Sequence, residues 1–143
     1  MSLYKKILVA VDLSQDSAVI LDKARSIAKA YDSELSMMHV IEPIAVGYAI
    51  EISSIDVEGL HQEATAQARS ALLEMGKNIG IPESRLHTVL GQPAREIKEL
   101  ANEINADLII MGNHARHGWE LLLGSTSTGV AHGVKCDLLT IHV

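Results

Sequence analysis

Uninterrupted apolar runs alternate with helical periodicity along this chain, and that alternation constrains its fold more than any single residue does. Ile7-Leu8-Val9-Ala10-Val11 has no polar break, which suits a strand covered on both faces of its sheet. Ser14 or Asp16 can cap the next segment, where Ile20, Leu21, Ala24, Ile27, Ala28 and Tyr31 recur with the period of an amphipathic helix. Residues 35–41 form a second strand-like run. After Pro43 an apolar, poorly periodic connection continues through Ile55, longer than usual for such units, and reads as a lid or an interface loop. The longest helix is predicted from near Asp56 to Ile79, with Leu60, Ala64, Ala68, Ala71, Leu72, Met75 and Ile79 on its buried stripe and Gly80 and Pro82 ending it. Residues 86–90 read as a third, weaker strand. Gly91-Gln92-Pro93 then turns the chain into a helix with Ile97, Leu100, Ala101 and Ile104 inward, Pro93 standing where a missing N–H does no harm. Leu108-Ile109-Ile110-Met111 is the fourth strand, followed by a glycine-bounded loop, a short helix from Ser125, and a last strand over 137–143. Strands alternating with helices imply right-handed crossovers, so the expected fold is a single α/β domain, 1–143, with a mostly parallel, doubly wound sheet and helices on both faces.

Composition narrows the function classes. Phe is absent, so Ile, Leu, Val, Ala and Met must fill the core, and few rings remain on which a flavin or single-stranded bases could stack. A formal net charge of −6 with no basic cluster argues against a nucleic-acid partner. Cys136 is alone, so no intramolecular disulfide can form, and its expected role is that of a small buried hydrophobe. The first apolar run stops at Asp12, too short for a signal peptide and far too short to span a bilayer. The expectation is a cytoplasmic protein without membrane contact.

In open α/β sheets ligands sit beyond the carboxyl ends of the strands, where strand order reverses. Three features of this chain lie at such ends: Asp12, the segment His39-Val40-Ile41, and Met111-Gly112. Asp12 can accept two hydrogen bonds from a ribose diol, or it can cap its own turn. From Met111 to Thr126 the chain has the construction of a phosphate site, a glycine-bounded loop closing on Gly124-Ser125-Thr126 at a helix start. The same residues also serve as an ordinary helix cap. Arg116 and the histidines His114 and His117 read either as a solvated loop or as phosphate contacts. A P-loop is excluded by the lack of Gly-x-x-x-x-Gly-Lys, and a dinucleotide turn by Asp12-Leu13-Ser14-Gln15-Asp16 after the first strand. Leu90-Gly91 and the terminal Val143 deny a receiver domain its later Asp and Lys, and no Gly-x-Ser-x-Gly elbow is present. The remaining histidines are dispersed, so no protein-held metal is expected; magnesium would come only with a bound nucleotide.

Taken together, Lys6 to Ser14, Leu35 to Val40, Ala106 to His114 and Gly124-Ser125 before the closing strand resemble the universal stress protein A family across essentially the whole chain. The resemblance implies a five-stranded parallel sheet of order 3-2-1-4-5, a homodimer, and in one branch an adenine nucleotide, AMP or ATP, at the strand-one/strand-four crevice. The nucleotide-binding set it implies is Val11, Asp12, Val40, Met111, Gly112, His114, Arg116, Gly124, Ser125 and Thr126; the sequence places no nucleophile or base there, so at most slow hydrolysis of a bound triphosphate is expected. That branch carries Gly-x-x-Gly, nine residues, then Gly-Ser/Thr. Here Ala115 replaces the second glycine and only eight residues separate it from Gly124, with Gly118 available as the flexible position. The alternative is a dimeric stress-response interaction protein that binds no nucleotide. Leu138, Leu139, Thr140, Ile141, His142 and Val143 contain neither Pro nor Lys, and at a sheet edge they would pair antiparallel with a second copy.

Overall fold

A computed structural model describes residues 3–43, 56–113 and 129–143. The elements follow the expected order: β1 (Lys6–Ala10), α1 (Ser17–Tyr31), β2 (Glu34–Ile41), α2 (Val57–Ile79), β3 (Leu86–Leu90), α3 (Pro93–Glu103), β4 (Leu108–Gly112) and β5 (Asp137–Ile141). All pairings are parallel, and the sheet order is β3-β2-β1-β4-β5. The apolar runs of β1 and β4 occupy the centre, where both faces are covered. Ile7, Val9, Val11, Met37 and Ile110 pack under α1 and α2, while Leu8, Ala10, Met38, Val40, Ile109 and Met111 pack under α3. The doubly wound arrangement is the one the alternation implies, and the strand order is the one the family resemblance implies.

Asp16 occupies the N-cap of α1 but makes no capping hydrogen bond with its side chain. Its backbone is already helical, at φ −68° and ψ −16°, whereas a capping residue needs extended dihedrals to bring its oxygen back over the first turn. Ser14 does not cap either; Asp12 ties this corner instead. Asp56 behaves as a cap should, its Oδ1 accepting from Gly59 N–H at 3.0 Å. Gln92 caps α3, accepting from Arg95 N–H at 2.7 Å. Gly80 ends α2 with φ +80°, a conformation cheap only for glycine.

The buried stripe of α2 differs from expectation at its start. Leu60 is 43% exposed, while Ala68, Leu72 and Gly76 are buried. A helix of 23 residues is about 35 Å long and β3, of five, about 17 Å, so both ends of α2 cannot lie over the sheet. The last strand stops at Ile141. Beyond it Val143 N–H donates to Asn113 Oδ1 at 3.1 Å, on the β4 side. Among the described residues no helix is long and apolar enough to cross a membrane.

Candidate functional site

The central strands part at their carboxyl ends. β1 pairs with β4 only from Ile7↔Leu108 to Val9↔Ile110. Each nevertheless stays bound to its other neighbour further along, β1 to β2 through Ala10↔Met38 and β4 to β5 through Gly112↔Ile141. The candidate crevice is this end of the β1–β4 pair, where strand order reverses and an open α/β sheet receives a ligand.

One wall is the β1–α1 corner. Val11 N–H donates to the Met38 carbonyl at 2.9 Å, one rung beyond the strand. Asp12 follows, with Oδ1 accepting from Ser14 N–H at 2.9 Å and from Ser17 Oγ at 3.4 Å. Leu13 between them has φ +64°, a left-handed conformation that costs a side-chain-bearing residue on the order of 1–2 kcal/mol. Its side chain packs on the core under α1, which holds the turn in that shape. The carbonyl of Val11 accepts from His39 Nδ1 at 2.7 Å. A carbonyl can only accept, so Nδ1 carries the proton. Burial lowers the His39 pKa from its ordinary value, against the opposing pull of the Val11 carbonyl and Asp12. Just past β2, burial raises the Glu42 carboxyl.

The floor is apolar. Val11 and Val40 are 0% exposed and Met111 3%, all within core clusters, so what they present at the crevice is shape and backbone rather than free side-chain surface. Gly112, half-buried at the end of β4, forms the opposite wall. Asn113 secures it: its N–H donates to the Ile141 carbonyl at 2.9 Å and its Nδ2 lies 3.2 Å from His142 Nδ1. Thus Val11, Asp12, Val40, Met111 and Gly112 converge at one end of the sheet. His114, Arg116, Gly124, Ser125 and Thr126, together with Ala115, Gly118 and the connection 44–55, lie outside the described residues.

The sequence places His39 at the carboxyl end of the second strand without naming its partner, and gives Asn113 no separate role. His39 was visible as a polar interruption in an apolar strand run, and Asn113 as an amide next to the glycine that ends β4. Cys136, at the opposite end of the sheet, is half-buried, and burial pushes its thiol pKa up, the direction of an unreactive sulfur. Among the described residues no three His, Cys, Asp or Glu side chains gather as metal ligands.

A family model described as the universal stress protein family matches residues 3–142. Universal stress protein A homolog 1 of Coxiella burnetii is 38% identical over 138 residues, covering 96% of each chain. The universal stress protein A homolog of Haemophilus influenzae is 30% identical over 139 residues, covering 97% of this chain and 96% of its own. Among solved structures, a universal stress protein in complex with cAMP superposes with a TM-score of 0.70 at 26% identity, covering 99% of this chain and 98% of that one. UspA from Lactobacillus plantarum shares the fold with a TM-score of 0.78 at 20% identity, covering 99% of both. With the sheet order, the parted central strands and these matches in hand, the chain belongs to the universal stress protein family.

Proposed function

We propose that this protein is a stress-response regulator that binds an adenine nucleotide, AMP or ATP, in the crevice between β1 and β4. The parting of these strands beyond Val9↔Ile110 carries the reading, because it opens the sheet beside Asp12 and Gly112. The carboxylate of Asp12 suits a ribose diol, the apolar floor suits a base, and Gly112 allows close approach of phosphates to backbone. The similar structure that holds cAMP supports an adenine ligand. His114, Arg116, Gly124, Ser125 and Thr126 would complete the phosphate end. In this reading regulation is by occupancy, with slow hydrolysis of a bound triphosphate at most. Any magnesium would arrive with a triphosphate.

One observation favours the alternative of a regulator without nucleotide: Asp12 Oδ1 already serves its own turn. Dialysis to equilibrium against micromolar AMP or ATP separates the two. One Trp and three Tyr absorb weakly, so bound adenine stands out near 260 nm. Excess absorbance retained with the protein supports binding, and none for either nucleotide removes it.

The proposed assembly is a homodimer through β5. This strand is a sheet edge, and Leu139 on it is 36% exposed. Grooves of about 510 and 460 Å³ run between it and α1. A second copy of β5 would pair the open edge and close the assembly about a two-fold axis.

A further inference from the structure

We infer that His39 is a positioning residue that sets the ribose-binding carboxylate of Asp12 by holding the Val11 carbonyl where β1 leaves the sheet. The inference rests on the nucleotide reading above and extends it to a side chain outside the ligand's own contacts. The register Val9↔Met37 and Ala10↔Met38 brings His39 level with Val11 on the neighbouring strand. The imidazole bridges back to that opposite residue at 2.7 Å, a short contact for an N–H donor. Two residues further on, Leu13 is in the left-handed region, so the chain turns sharply at the point where the imidazole grips it. Asp12 lies between these two constraints, and its carboxylate direction follows from them. Ser14 N–H and Ser17 Oγ fix one carboxylate oxygen from the α1 side, and His39 fixes the backbone from the β2 side. The donor is Nδ1–H, and burial of the ring favours its neutral form.

The test compares His39→Leu, which removes the donor, with His39→Asn, whose amide N–H stands at the same distance along the side chain as Nδ1. Each variant is titrated with ATP and with 2′,3′-dideoxy-ATP, after thermal melts identify the folded variants. Wild type is expected to prefer ATP by about tenfold, the size of one good hydrogen bond to a carboxylate. His39→Asn should keep most of that preference. His39→Leu should lose it, within about twofold, while its affinity for the dideoxy compound stays near that of wild type. Undiminished preference in His39→Leu, or equal loss in both variants, overturns the inference. If wild type binds neither compound, the nucleotide reading fails, and the clamp is then read from ¹⁵N spectra of the ring. A proton on Nδ1 at neutral pH, with Asp12 and Leu13 amide shifts preserved in His39→Asn and displaced in His39→Leu, supports it; a proton on Nε2 alone overturns it. If His39→Leu does not fold, the His39→Asn titration and the ring tautomer decide.

Discussion

Asp12 carries two jobs in this account, and substitution can separate them. Asp12→Asn keeps an oxygen for Ser14 N–H but removes the charge offered to a ribose, so the fold should be retained within about 0.5 kcal/mol by thermal melts. Asp12→Ala loses both, and nucleotide binding should weaken by about 1.5–3 kcal/mol in titrations. Asp12 was legible as a carboxylate at the end of an apolar run, but the choice between turn and ligand was not, because it depends on where a left-handed Leu13 sends the chain. His39 was legible as part of the segment at the end of the second strand, but its partner was not, because that is a backbone carbonyl 28 residues away in sequence. Burial lowers the pKa of both His39 and His87. A depressed histidine binds its proton less tightly in the folded state than in the unfolded one. Its stabilising contribution is therefore complete above the ordinary value near 6.5 and is lost as pH falls through 6.5 toward the folded value. Glu42 acts in the opposite sense around its raised value, gaining stability on protonation. The urea midpoint should fall between pH 7.5 and pH 5.5, and His39→Asn should flatten that slope; an unchanged slope would assign it elsewhere.

Elements were legible wherever periodicity was strong. Every strand and the three long helices form where apolar pattern placed them, because a two-sided core tolerates few alternatives for runs such as Leu108-Ile109-Ile110-Met111. What pattern could not supply was the docking of each element on its neighbours. Leu60 reads as core by spacing yet is exposed, while Gly76, apolar by neither size nor index, is buried. Gly76 matters because α2 lies directly on β3 there: a Cβ at this position would stand 2.8 Å from the methyls of Leu86. Gly76→Val should therefore cost about 1–3 kcal/mol through overpacking, while Leu60→Ala, at the exposed start of the same helix, should stay within about 0.5 kcal/mol. Chemical denaturation of the two variants checks this contrast, and equal losses would contradict the docking.

At the scale of the molecule, the parallel doubly wound sheet followed from the alternation, whereas the order 3-2-1-4-5 came from family resemblance, since register and neighbours are set by contacts far apart in sequence. The crevice belongs to the same class of property: it exists because β1 and β4 stop pairing before either strand ends. The edge position of β5 among the described strands leads to the proposed dimer. Ile141 is buried in the core, so a charge there would unfold the protein before it reported on assembly; Leu139 is the exposed large apolar side chain on that strand. Leu139→Lys should shift a dimer of about 31 kDa toward the 15.4 kDa monomer in sedimentation, and a wild type that is monomeric at all micromolar concentrations would remove the interface.

The central claim is that an adenine nucleotide occupies the crevice beside Asp12, and calorimetric titration of nucleotide-free protein with AMP, ADP and ATP tests it most directly. Saturable binding of at least one of the three is expected at micromolar affinity or better, near −8 kcal/mol, weakened in Asp12→Ala. No saturation with any of them, or equal affinity in Asp12→Ala, would contradict it.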